Sequence, residues 1–162
     1  MGSHESNTGG TDQWVTPRSI LDALGVFDLD PCAPINRPWP TAHRHYTIVD
    51  DGLRQPWNGR VWLNPPYSTA ARWLARLAQH GQGTALLFAR TETRLWFQHV
   101  WPRASGILFM RGRVTFCYPD GRPAAANSGA PSALVAYGQQ DARVLAAQPL
   151  PGKYLPIPQE PP

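Results

Sequence analysis

The chain has 162 residues, 42% of them hydrophobic, with seven tryptophans and a formal charge of +4. That is enough apolar material for one sizeable core and too little chain for two independent domains. No run of about 18 apolar residues exists to span a membrane, the opening MGSHESNTGG lacks the basic and apolar parts of a signal peptide, and Cys32 and Cys117 form no CxxC and have no suitably spaced histidines, so neither a zinc site nor a disulfide framework is supported.

A soluble, cytoplasmic chain is expected, with residues 1–10 disordered, one domain over 11–148 and a proline-rich tail over 149–162. The charge is uneven. Residues 1–51 carry three arginines against seven acids, whereas residues 52–119 carry nine arginines and one acid, Glu92. A GC-rich genome would account for arginine in place of lysine, but not for the missing acids. A basic middle beside an acidic start points to a polyanion on one face and a different ligand on another.

In chain order, Thr16-Pro17 followed by RSILDALG predicts a short helix, with a cap residue, proline at the first helical position and Gly25 as the stop. VFDLDPCAP predicts a strand from Val26 to Leu29 that ends at Asp30 and is broken by Pro31 and Pro34. INRPWPTAHRH reads as loop, and YTIVDDGL as an edge strand with an acidic turn at Asp50 and Asp51. VWL is a short buried strand that must stop at Asn64, because Pro65 and Pro66 lack the N–H a sheet ladder needs. TAARWLARLAQHG is helical, with Trp73, Leu74, Leu77 and Ala78 on one face and Gly81 as its cap. TALLFA suits a central parallel strand, and TRLWFQHVWP a second helix. GILFM, RVTFCY and SALVAYG are three further strands, the first two joined tightly as antiparallel neighbours. The tail, six prolines in 14 residues, reads as extended and unpacked. Alternating strands and helices with an antiparallel finish define an α/β sandwich with a mixed sheet.

In such a sheet ligands bind beyond the carboxyl ends of the strands, where DLDPCAP and NPPYS both fall. Asn64 offers a side-chain oxygen, Pro65 a carbonyl and Tyr67 an aromatic face. Two acceptors suit an exocyclic NH₂ group, and the ring suits a base extruded from its helix. Adenine N6 is a poor nucleophile because its lone pair is delocalised; two acceptors draw the nitrogen towards a tetrahedral arrangement and free that pair for attack on an activated methyl group. Asp30, at a strand end, is placed to accept from a cofactor hydroxyl or amine. Blander roles stand beside each: Asn64 as a strand-end turn residue, Tyr67 as a half-buried core aromatic, Asp30 as a cap. Arg90, Arg94, Arg111 and Arg113 flank strand ends and are the candidates for phosphate contact.

NPPY resembles the motif of amino-methyltransferases that use S-adenosylmethionine. More narrowly, TDQWVTPRSILDALG, FDLDPCAP, DDGL, WNGRVWLNPPY, FARTETRLWF, RGRVTF and PSALVAYG, in this order, are similar to the small phage-encoded Dam-like DNA N6-adenine methyltransferases. The resemblance implies a Rossmann-like S-adenosylmethionine-dependent methyltransferase fold, a compact mixed sheet flanked by helices, from a bacterial host or prophage. It implies a target-base site of Asn64, Pro65, Pro66 and Tyr67, and DNA as partner. Asp30, Pro31, Cys32 and Ala33 would line the cofactor, Trp14, Thr16 and Pro17 close over its methionine end, and Asp50 and Asp51 lie near it. No metal is implied. Pro34-Ile35-Asn36 stand where the wider pattern has a glycine-rich loop. Two other classes remain open, a methyltransferase acting on RNA or protein glutamine and a catalytically silent nucleic-acid-binding protein. Recognition is expected from loops 34–45 and 118–132.

Overall fold

The computed structural model describes residues 14–159; the expected disorder of residues 1–10 lies outside them. Eleven elements follow one another: α1 (Arg18–Leu24), β1 (Leu29–Asp30), β2 (Arg44–His45), β3 (Val61–Leu63), α2 (Ala70–His80), β4 (Gly83–Phe88), α3 (Arg94–His99), β5 (Gly106–Met110), β6 (Ser132–Tyr137), α4 (Gln139–Ala146) and β7 (Gly152–Pro156). The strands form one sheet in the order β2-β1-β3-β4-β6-β5-β7. The first four strands in that order are parallel, and β6 runs against both β4 and β5, with β7 against the other side of β5.

Both faces of the sheet are apolar, so each strand splits its side chains between two cores. Val61 and Leu63 join Leu74, Leu77, Leu87 and Trp96 beneath α2 and α3. Trp62 between them points the other way, to Leu21, Leu24, Phe27, Leu86, Leu108 and Leu145 beneath α1 and α4. The helix boundaries follow local chemistry. Gly81 adopts φ +78 and returns its N–H to Leu77 O, closing α2 where a residue with a side chain would be strained.

Four expectations change. The edge strand is Arg44–His45, inside the predicted loop, because the Asp50 carboxylate accepts from the Thr47 N–H at 2.8 Å and turns residues 47–50 away from the ladder. The strand at residues 26–30 shortens to β1, with Asp28 N and Leu29 N both donating to Arg60 O. RVTFCY is not a strand of the sheet: both edges of β5 are taken by β6 and β7, and Cys117 bridges Val15 and Pro123 instead. Its alternation reflects Val114 and Phe116 buried on one side. The proline-rich tail is extended but packed, since β7 pairs with β5 from Gly106↔Pro156 to Met110↔Gly152. Its proline sits at the strand's end on the sheet edge, where a missing N–H costs no ladder bond. α4 was not anticipated at all.

Candidate active site

A cavity of about 480 Å³ opens at the carboxyl ends of β1 and β3. Of the residues singled out from sequence, Trp14, Thr16, Asp30, Pro31, Cys32, Ala33, Asp51, Asn64 and Pro66 line it. Pro17, Asp50, Pro65 and Tyr67 do not. Pro17 stands immediately before α1 with φ −55. Asp50 is spent on the 47–50 turn, binding the Thr47 N–H through its carboxylate and Gln55 Nε2 through its carbonyl. Sequence reading missed further lining residues, among them Ile35, Thr41, Ile48, Trp62, Arg72 and Trp73. Trp62 was inferable, since it is the residue of the Val61-Trp62-Leu63 strand that alternates away from the other two. Thr41 and Ile48 sit in loops without periodicity.

Asp30 is buried, and both its carboxylate oxygens have partners: the Thr41 hydroxyl donates to one at 2.5 Å and the Cys32 N–H to the other at 3.1 Å. Burial pushes its carboxyl up to about 6, against the opposing pull of those two hydrogen bonds and of Arg37. Burial, then the Asp30 charge, pushes the Cys32 thiol up to about 12, which leaves it protonated and a poor nucleophile. The Pro31 carbonyl packs against Gly52 so closely that a Cβ there would lie 1.9 Å from the oxygen. The glycine lets the Asp51 turn close one wall of the cavity.

The raised Asp30 carboxyl has a thermodynamic consequence. The folded chain holds that proton to higher pH than the unfolded chain does. Its contribution to stability is therefore present below about pH 4 and is lost as pH rises through about 6. Asp30→Asn keeps an acceptor for the Cys32 N–H and removes the buried charge. It is expected to stabilise the protein at pH 7, by on the order of 2–3 kcal/mol, with the gain shrinking towards pH 4. Thermal melts of both proteins across that range check this, and identical melts at pH 7 would show that the buried charge costs nothing.

Asn64 follows β3 directly, and its side-chain nitrogen donates to Thr16 Oγ1 at 3.2 Å. The chain then runs through Pro66 (φ −58, ψ 140) into a single 3-10 turn, Tyr67–Thr69, leading into α2. Tyr67 is 39% exposed, and the Arg90 guanidinium lies 5.4 Å from its ring centre.

The four candidate phosphate contacts lie, like Asn64, beyond the carboxyl ends of the strands. Arg90 follows β4, Arg94 opens α3, and Arg111 and Arg113 follow β5, which runs parallel to β4 because both oppose β6. Arg94, Arg111 and Arg113 are exposed, with Arg113 Nη1 donating to Gly129 O at 3.2 Å. Two other arginines of the basic middle are structural. Arg76 donates to Leu53 O and Gln55 O and packs over the Trp57 ring. Arg60 is buried against Asp141 at 2.8 Å, donates to Leu24 O and Val26 O, and stacks 4.0 Å from the Phe27 ring centre. Among the described residues no helix is long and apolar enough to cross a membrane.

A mixed α/β sheet with a pocket at the carboxyl ends of its parallel strands is the layout of a ligand-binding α/β protein. The chain belongs to the DNA N-6-adenine-methyltransferase (Dam) family, whose model matches residues 3–146. It is similar to the DNA N-6-adenine-methyltransferase of Escherichia phage T1, with 26% identity over 113 residues, covering 64% of this chain and 47% of that protein. The chain thus spans about half the length of that curated relative. No solved structure matches it.

Proposed function

We propose that this chain is a Rossmann-like, S-adenosylmethionine-dependent enzyme that methylates the exocyclic amine of an adenine extruded from DNA. The observation that carries the reading is the position of Asn64 and Pro66 on the wall of the same cavity as Asp30. Family membership supports it, as does the sheet order, with one reversed strand, β6, inserted between β4 and β5 and the other, β7, at the edge.

The cavity residues fit such a cofactor. Its volume lies within the range of about 300–1,000 Å³ for small-molecule sites. Asp30 and Asp51 offer carboxylates to hydroxyl or amino donors, Ile35, Ile48 and Leu53 offer an apolar wall, and the buried Trp62 indole N–H has no hydrogen-bond partner among the described residues. Bound S-adenosylmethionine supplies an electrophilic methyl group. The chain supplies the rest. Trp14 and Thr16 close one end of the cavity, with Pro17 fixing the backbone behind them, and Pro31, Cys32 and Ala33 line it beside Asp30, with Asp50 acting through the turn it holds. Asn64 Oδ1 and the Pro65 carbonyl accept the two hydrogens of adenine N6, which localises its lone pair for attack. Tyr67, backed by Arg90, receives the face of the base.

Incubating the protein with labelled cofactor and duplex DNA, RNA or a glutamine peptide, followed by nucleoside analysis, tests the reading. N6-methyladenine in DNA is the expected product. Label in RNA or peptide alone would move the activity to another NPPY substrate, and no label at all would leave a silent binder. The same reading assigns Arg90, Arg94, Arg111 and Arg113 to phosphates. Duplex affinity is then expected to fall with salt at a log–log slope of about −0.9 per contacted phosphate, and Arg111→Gln should flatten that slope by about one contact. A wild-type slope near zero would remove DNA as the partner.

A further inference from the structure

We propose that Arg90 is a positioning residue for the target base, its guanidinium holding the Tyr67 ring in the orientation on which an extruded adenine stacks. This rests on the reading of Tyr67 as the platform for that base. It gives Arg90 a task beyond contact with a phosphate.

β3 and β4 run side by side in parallel, with Leu63 opposite Ala85, so the residues that follow the two strands emerge next to each other. One strand leads to Tyr67 and the other to Arg90. The Tyr67 backbone is set by its turn, in which Thr69 N donates to Pro66 O at 3.2 Å. The direction of the ring is a separate choice, because the first side-chain torsion has three staggered wells and this ring is only partly packed. The Arg90 guanidinium carbon lies over the ring, 5.4 Å from its centre, and also over the Phe88 ring at 5.5 Å. A cation is attracted to the negative face of an aromatic ring, which favours the orientation that keeps that face beneath the charge. The base then takes the opposite face.

To hold Tyr67, Arg90 must itself be held. Arg90 N donates to Phe88 O at 2.8 Å, and Ala89 N donates to Pro131 O at 2.8 Å. The Arg90 carbonyl accepts from Thr93 N at 3.1 Å and from Thr93 Oγ1 at 2.7 Å. Phe88 is 3% exposed, so its ring is a fixed surface against which the guanidinium rests. Among the described residues no carboxylate pairs with Arg90, whereas the charge of Arg60 is committed to Asp141. A lysine would keep the charge of Arg90 and lose the flat group that lies over two rings.

Arg90→Lys therefore separates position from charge. In ¹⁵N-labelled full-length protein, the Arg90 Nε–H signal, identified by its loss in R90K, is expected upfield of the ordinary arginine range and is expected to move back towards it in Tyr67→Leu. Single-turnover methyl transfer, measured at saturating cofactor and DNA so that binding drops out, is expected to fall about 5- to 10-fold in R90K. In the Y67L background the same change should cost less than about 2-fold, because a residue that acts through the ring has nothing to act on once the ring is gone. Arg90 does not line the cofactor cavity, so S-adenosylhomocysteine affinity, measured by calorimetry, should stay within about 2-fold of wild type. An Nε–H signal unmoved in Y67L, a wild-type rate in R90K, equal losses with and without the Tyr67 ring, or a loss of cofactor affinity matching the loss of rate would each overturn the proposal. If R90K does not fold, Arg90→Gln takes its place in the same cycle, and saturating DNA keeps the lost charge out of the rate. Absence of methyl transfer by the wild-type protein would defeat the functional reading instead, and the Nε–H signal in Y67L would still decide whether Arg90 holds the ring.

Discussion

Asn64→Ala is expected to slow methyl transfer by about 10²- to 10³-fold while leaving cofactor affinity within a few fold. That is the scale on which one preorganised hydrogen-bonding group acts at a reacting centre. The asymmetry follows from where the residue sits. Asn64 emerges from β3, whose three residues are fully buried, and is followed by two prolines that fix the backbone, so truncation removes the amide without moving its neighbours. The cofactor's expected partners, Asp30 and Asp51, come from β1 and from the turn before Gly52, and neither bonds to Asn64. Single-turnover rates with labelled cofactor, paired with calorimetry, separate the two effects. A variant that kept more than about a tenth of the wild-type rate would show that adenine N6 is activated by something other than this amide.

The second large effect is on stability. Arg60→Ala is expected to cost about 3–5 kcal/mol, because it strands a buried carboxylate. Arg60 Nε and the Thr84 hydroxyl both donate to Asp141 Oδ1, at 2.8 and 2.7 Å, so the alanine variant leaves Asp141 with one neutral donor in a fully buried site. It also withdraws the donor that serves Leu24 O at 2.7 Å, at the end of α1. Urea unfolding should register the loss. Arg18→Ala, which breaks only the exposed pair with Asp22, should leave the midpoint close to wild type. Equal midpoints for the Arg60 variant and wild type would show that the buried pair is replaceable by water or by relaxation.

The same pair marks where sequence reading stops. The turn at Asn64 was legible because two prolines in succession forbid a sheet, and α2 because its apolar spacing and Gly81 agree on a helix and its end. Asp30 was legible as a strand-end acid. Arg60 was not, since an arginine between Gly59 and Val61 looks like any charge of the basic middle, and its partner is 81 residues away. α4 escaped because only Asp141, Ala142 and Leu145 are buried along it, too few for a visible period. RVTFCY misled for the opposite reason. Alternation reports that one side of an extended segment is buried, and burial beneath a loop produces the same pattern as a sheet. The tail misled because proline content speaks against a central strand and is silent about an edge.

The insertion of β6 between β4 and β5 sets a timetable for the growing chain. β5 has no partner among the strands made before it: its neighbours are β6 and β7, and both follow it. While residues 111–131 are being added, Ile107 and Leu108, fully buried in the finished protein, have no ladder to join. They wait, apolar and unpaired, until β6 has been synthesised and has docked on β4. Contacts that must be made across such a separation are slow to form, and the exposed segment is meanwhile a template for pairing with other chains. During synthesis, the hazard of self-association in this fold is therefore concentrated in GILFM, whose first three residues are buried in the completed molecule.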